Sequence, residues 1–186
     1  MRHFGSDRGT EGGGTGRPLP DRNVVGFGIG GDEKRAGPEL FREVYSFCAE
    51  NGLRLTAHAG ETAGPESIWG ALNLRAERIG HGLTAYQDPD LIQELAQRQI
   101  PIEVCVTSNV KTGVCPNLAD HPVRRYFDEG LMVTVNTDDP AMFETSSPPS
   151  ISCYRRISHS ATITCANWRA IPSRPPSFPP RRSWNF

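Results

Sequence analysis

The sequence predicts an α/β chain: a partial (β/α)8 barrel of the TIM type, covering about the last five strands, with a Pro/Arg-rich tail of low structure behind it. Three observations predict this. Apolar β-like runs alternate with helical segments between residues 23 and 146. Three of those runs end in a residue that can bind metal or move a proton: His58 and Glu61, His81, and Asp138-Asp139. At 186 residues the chain is also shorter than the roughly 250 residues of a complete barrel. Strand ends of such a barrel converge on one catalytic face, so groups at successive ends would meet there.

Each element has its own signal. Val24 to Ile29 reads as the first strand. Pro38 to Asn51 reads as a helix, with Leu40, Phe41, Val44, Tyr45 and Phe47 at helical spacing and Gly52 as its stop. Leu53 to Ala57 is the second strand, and Pro65 to Leu74 a helix with proline in its first turn. Arg78-Ile79 is a short third strand. Asp88 caps a helix running to Arg98, with Pro89 at its first position. Ile100 to Val106 is the fourth strand, Leu118 to Gly130 mostly helix, and Leu131 to Asn136 the fifth strand. Strict strand–helix alternation implies a parallel sheet, open or closed.

The flanks differ from this unit. Residues 1–22 read as a flexible lead-in rich in Gly, Arg, Asp and Pro. Residues 147–186 carry six arginines and no acidic residue, leaving 14 basic and 21 acidic groups, net −7, before them. Their proline density excludes helix and central strand, so they read as a basic tail of low structure.

The net charge of −1 implies no general attraction to nucleic acid or membrane. No apolar run approaches the roughly 18 residues of a membrane span. Five cysteines without a C-x-x-C pair suit a reducing cytoplasm. Oligomeric state is not readable here.

Chemistry is carried by the strand ends. A histidine leaving a strand can ligate zinc, and Glu61 beyond it can shuttle a proton to or from water or substrate. His81, between Gly80 and Gly82, can orient an attacking water or stabilise developing negative charge. One carboxylate of Asp138-Asp139 can bind a divalent metal while the other faces a ligand. Singly, each group reads as ordinary loop or turn chemistry; together they point to a metal-assisted hydrolytic site. A rival reading rests on Gly26-Phe27-Gly28-Ile29-Gly30-Gly31, which fits G-x-G-x-x-G and suggests a dinucleotide-binding module. Asp32-Glu33 directly after it would sit badly beside a pyrophosphate. His121, in the Ala119-Asp120-His121-Pro122 turn, reads as structural.

Val24 to Glu33, His58-Ala59-Gly60-Glu61, Glu77 to Gly82, Thr107-Ser108-Asn109 and Asn136 to Pro140 together resemble the adenosine/adenine deaminase family. The resemblance covers about residues 23–146. It implies a zinc-dependent barrel that hydrolyses the 6-amino group of a small-molecule purine, converting adenosine to inosine and ammonia. Adenine or an adenosine-like menaquinone precursor is the alternative substrate, and a non-catalytic remnant a further alternative. Position by position, the resemblance makes His58 and Asp138 zinc ligands and Glu61 the proton donor to the purine ring. It makes His81 the group that orients and activates the zinc-bound water. Asp139 becomes the partner of the imidazole-side ring nitrogen, and Gly31 a backbone donor to the purine.

Three departures stand out. The family's His-x-His zinc pair has no counterpart, leaving one zinc ion with two of its family ligands. Cys105-Val106-Thr107-Ser108-Asn109 replaces a Cys-Pro-Thr-Ser-Asn stretch. The helices expected after the aspartate pair are missing. The expectation is a truncated, inactive or nearly inactive deaminase. The codons possible for Asn167 to Pro180, read from their third base, allow a Leu…Asn-Ser-Ile…Ala-Ser-Phe-Leu-Pro segment like one near the family's C-terminus. The tail is therefore expected to be a frame-shifted reading.

Overall fold

The computed structural model describes residues 24–144. The expected lead-in over 1–22, the tail over 147–186 with its frame hypothesis, and Cys153 and Cys165 lie outside the described residues.

Five strands form one parallel sheet: β1 (Gly26–Ile29), β2 (Arg54–Ala59), β3 (Arg78–His81), β4 (Ile102–Val104) and β5 (Val133–Val135). Their spatial order is their sequence order. A doubly wound sheet reverses its strand order at a switch point, and dinucleotides bind there. No reversal occurs among the described strands, so the G-x-G-x-x-G run lacks the setting that the dinucleotide reading needs. Sequential parallel strands are instead the arc of a (β/α)8 barrel.

Between the strands lie α1 (Arg42–Glu50), α2 (Pro65–Asn73), α3 (Pro89–Arg98), α4 (Val106–Lys111) and α5 (Val123–Asp128). Strand side chains alternate between two faces. Leu55, Ala57 and Ala59 of β2 are buried, as are Ile79, Ile102, Val104 and Val133 on its neighbours. They form one core with Val44, Tyr45 and Cys48 of α1, Ile68 and Ala71 of α2, Leu91 and Leu95 of α3, and Val123 and Tyr126 of α5. The other face is polar. Thr56 is in register with Arg78, and His58 with Gly80, which pairs in turn with Glu103. Arg78 and Glu103 form an ion pair at 2.7 Å across that face. This polar face, at its C-terminal end, carries the site.

Several boundaries differ from expectation. Val24 and Val25 stand exposed ahead of β1. The first helix is split: Pro38–Phe41 is a 3-10 turn and only α1 is α-helical. The expected fourth strand stops at Val104, and Val106 begins α4, with Asn109 N–H donating to Cys105 O at 2.9 Å. The apolar run disguised that turn. The helix expected from Leu118 begins only at Val123, because Asn117 Oδ1 takes the Ala119 and Asp120 amides into a turn and Pro122 follows. Asp88 does cap α3, accepting from Asp90 and Leu91 N–H at 3.0 and 3.2 Å.

Candidate active site

His58 leaves β2 between glycines of both neighbouring strands. A Cβ on Gly30 would lie 3.4 Å from the imidazole, and one on Gly80 only 3.2 Å from Nδ1. The chain then turns sharply at Gly60, where φ is +70° and a Cβ would lie 2.5 Å from Ile68 Cδ1.

That turn is organised by Glu33. Its buried carboxylate accepts from Gly60 N–H at 3.0 Å, Glu61 N–H at 3.2 Å, Ala63 N–H at 3.2 Å and Ser67 Oγ at 3.3 Å. Three backbone amides thus hold one carboxylate, and Glu61 is aimed by its own N–H. Burial, with the negative charges of Glu33 and Asp138 adding to it, pushes the Glu61 carboxyl up to about 7. Glu61 is consequently divided between acid and carboxylate near neutrality.

His81 ends β3 with φ +65°, a left-handed conformation that costs a non-glycine residue about 1 kcal/mol. Its ring is buried and lies 4.9 Å, centroid to centroid, from that of His58. Nε2 is 3.6 Å from Glu61 Oε2, and Nδ1 is 3.1 Å from Asn109 Nδ2. Burial, with His58 adding to it and Asp138 opposing, lowers its pKa to about 4. The imidazole is neutral at pH 7.

Asp138, beyond β5, also has a left-handed backbone, φ +62°. Its Oδ2 accepts from Ser108 Oγ of α4 at 2.7 Å. Donor atoms of His58, His81 and Asp138 all lie within 4.8 Å of one another. They line an open cleft of about 360 Å³ together with Glu103, Cys105 and Asn136. Burial drives the Cys105 thiol up to about 12, so it stays protonated and is a poor metal ligand.

Two expected site residues sit apart from this cluster. Asp139 is exposed, and its Oδ1 accepts from Met142 N–H at 2.9 Å, an ordinary turn contact. Gly31 is exposed past the end of β1 with φ +106°. Neither lines the cleft.

The sequence reading missed Glu33 as an organiser, having weighed it only as a charge against pyrophosphate. It quoted Ser108 and Asn109 as part of a motif without seeing that one reaches Asp138 and the other His81. His121, expected to be structural, is buried and accepts from Val123 N–H at Nδ1, while its Nε2 faces Asn109 Oδ1 at 3.2 Å.

Comparison with known proteins bears on the family and the fold. The adenosine deaminase family profile matches residues 17–170. The chain is 47% identical over 128 residues, 68% of its length, to an aminodeoxyfutalosine deaminase of Streptomyces avermitilis, and covers 36% of that protein. It is 40% identical over 147 residues, 78% of its length, to an adenosine deaminase of Clostridium kluyveri, and covers 42% of it. Among solved structures, the adenine deaminase of Arthrobacter aurescens superposes with a TM-score of 0.77 at 33% identity, over 86% of this chain and 49% of that one. An amidohydrolase of Burkholderia ambifaria with bound Zn gives 0.62 at 26% identity, over 82% of this chain and 48% of that one.

The chain belongs to the adenosine deaminase family. Its relatives are purine deaminases of differing substrate, and it spans well under half the length of the curated ones given above.

Proposed function

We propose that this chain carries the strand-end half of a site for hydrolytic deamination of a 6-aminopurine nucleoside, adenosine to inosine and ammonia. The observation that carries the reading is the pairing of Glu61, held near neutral pKa, with a buried neutral His81 beside the His58–Asp138 pair. Chemistry of this kind needs a group that is protonated at working pH and close to its own pKa.

The residues at hand suit a zinc ion in kind, one imidazole and one carboxylate oxygen. They fall short in number, since a catalytic zinc takes about three protein ligands and the chain has no His-x-His pair. His58 and Asp138 would hold the ion, which activates water for attack at neutral pH. Ser108 keeps the Asp138 carboxylate in place by donating to its Oδ2. Glu61 delivers its proton to the purine ring nitrogen as the 6-carbon becomes tetrahedral. His81 holds the attacking oxygen. The family resemblance also assigns Asp139 and Gly31 to the purine; both lie outside the cleft lining, and Asp139 keeps one carboxylate oxygen beyond the one that accepts from Met142 N–H.

Adenine and the aminodeoxyfutalosine of a relative are the alternative substrates. The domain reading stays part of the proposal: lead-in to residue 22, deaminase unit to 146, and a basic tail.

A chimaera tests the proposal. The portion of the Clostridium kluyveri enzyme that precedes its matched region would be fused ahead of residue 17 and loaded with zinc. The expected result is ammonia release from adenosine, cut about 10²–10⁴-fold by Glu61→Gln. The unfused chain should release none from adenosine, adenine or aminodeoxyfutalosine. A folded, zinc-loaded chimaera inert toward all three would contradict the assignment, and ordinary turnover by the unfused chain would contradict the missing-ligand reading.

A further inference from the structure

We infer that Asn109 and His121 are positioning residues that lock His81 as its Nε2–H tautomer. A backbone amide starts the argument. Val123 N–H can only donate, and its acceptor is His121 Nδ1 at 3.1 Å. That nitrogen is therefore bare, and the ring proton of His121 sits on Nε2. His121 Nε2 faces Asn109 Oδ1 at 3.2 Å. The amide must accept there, so its NH2 points the other way, at His81 Nδ1, 3.1 Å off. His81 Nδ1 is then bare in turn, and the proton of the His81 ring is on Nε2. Each link is fixed by the one before it, and the first is main chain, so no freedom of amide orientation or ring flip remains. Asn109, His81 and His121 are 0%, 2% and 3% exposed, which leaves solvent no opening to substitute for a partner.

Function follows from the direction of the chain. His81 presents an N–H to the cleft, where Glu61 Oε2 is 3.6 Å away. An N–H cannot ligate a metal, so of the three clustered donor residues only His58 and Asp138 are ligands. Nor can that nitrogen take a proton; it can only donate to an oxygen lone pair. His81 thus holds the oxygen nucleophile by one fixed hydrogen bond, with Asn109 and His121 setting the direction. This last step rests on the deaminase reading, whereas the tautomer does not.

Long-range proton–nitrogen correlation spectra of the 15N-labelled full chain at neutral pH read the tautomer directly. His81 and His121 should both show the Nε2–H pattern. A His81 proton on Nδ1 overturns the lock whatever the variants do. Asn109→Asp replaces the NH2 with an acceptor, so the His81 proton should move to Nδ1. His121→Leu should let the amide turn over and bring a second His81 tautomer into the spectrum. His121→Gln, which can still accept from Val123 and donate to Asn109, should restore the single one. A folded Asn109→Asp or His121→Leu chain with unchanged His81 signals also overturns the proposal. If either variant fails to fold, the wild-type spectrum still decides. Nε2–H signals alongside a folded, zinc-loaded chimaera inert toward all three purines would leave the lock standing and remove the deaminase reading; Nδ1–H signals alongside an active chimaera would do the reverse.

Discussion

Glu61 and Glu33 are two carboxylates at one turn with opposite duties. Glu33 spends its lone pairs on three backbone amides and a serine. Its replacement by alanine strands three backbone N–H groups, that of Gly60 buried and those of Glu61 and Ala63 partly so, and should lower stability by about 2 kcal/mol, read by urea unfolding; a loss under about 1 kcal/mol would contradict its organising role. Glu61 instead holds its proton well above the usual carboxylate range. Its folded pKa, about 7, lies above the ordinary value of 4.5. The folded state then binds more protons than the unfolded one across that window, and its contribution to stability falls as pH rises. His81 runs the other way over part of the range, its pKa being lowered to about 4. The clean readout is therefore the difference between wild type and Glu61→Gln: wild type should lose stability relative to the variant from about pH 4.5 to about pH 7. A flat difference would mean that Glu61 titrates as an ordinary exposed carboxylate. Glu61, His58, His81 and Asp138 were legible in the sequence because each follows a strand. Glu33, Ser108 and Asn109 were not, because their partners lie 28, 30 and 28 residues away and no local pattern records such a contact.

Among the elements, short-range chemistry was the legible part. Asp88-Pro89 marked the start of α3 because a side-chain cap and a fixed φ act within one turn. The Asp88 carboxylate also accepts from Trp69 Nε1 at 2.9 Å, joining α3 to α2. Asp88→Ala should lower the thermal unfolding midpoint, since cap and cross-link are lost together; an unchanged midpoint would contradict it. The turn from β4 into α4 was illegible: Val104-Cys105-Val106 is apolar without a break, equally good as strand or buried helix start. Yet this turn delivers Ser108 to Asp138 and Asn109 to His81, so the least readable boundary is the one that assembles the site.

At the scale of the whole molecule, five parallel strands in sequence order form one arc with its polar face toward the cleft. The alternation of strands and helices made that order readable, and it removes the dinucleotide rival. No helix among the described residues is long and apolar enough to cross a membrane. Family membership rests on 154 matched positions, 17–170, and those reach past Ser146 into the basic tail. The frame hypothesis for the tail predicts that the coding DNA of Asn167 to Pro180 spells the Ser-Phe-Leu-Pro segment in its other frame; a DNA sequence unable to do so removes that idea and leaves the family assignment intact. The central claim is that His58 and Asp138 are what this chain contributes to a zinc centre. Zinc titration of the purified chain against a chromogenic chelator tests it most directly. The account predicts one weakly held ion, lost in His58→Ala and in Asp138→Ala and retained in Asp139→Ala. Zinc affinity unchanged by both ligand replacements would contradict it.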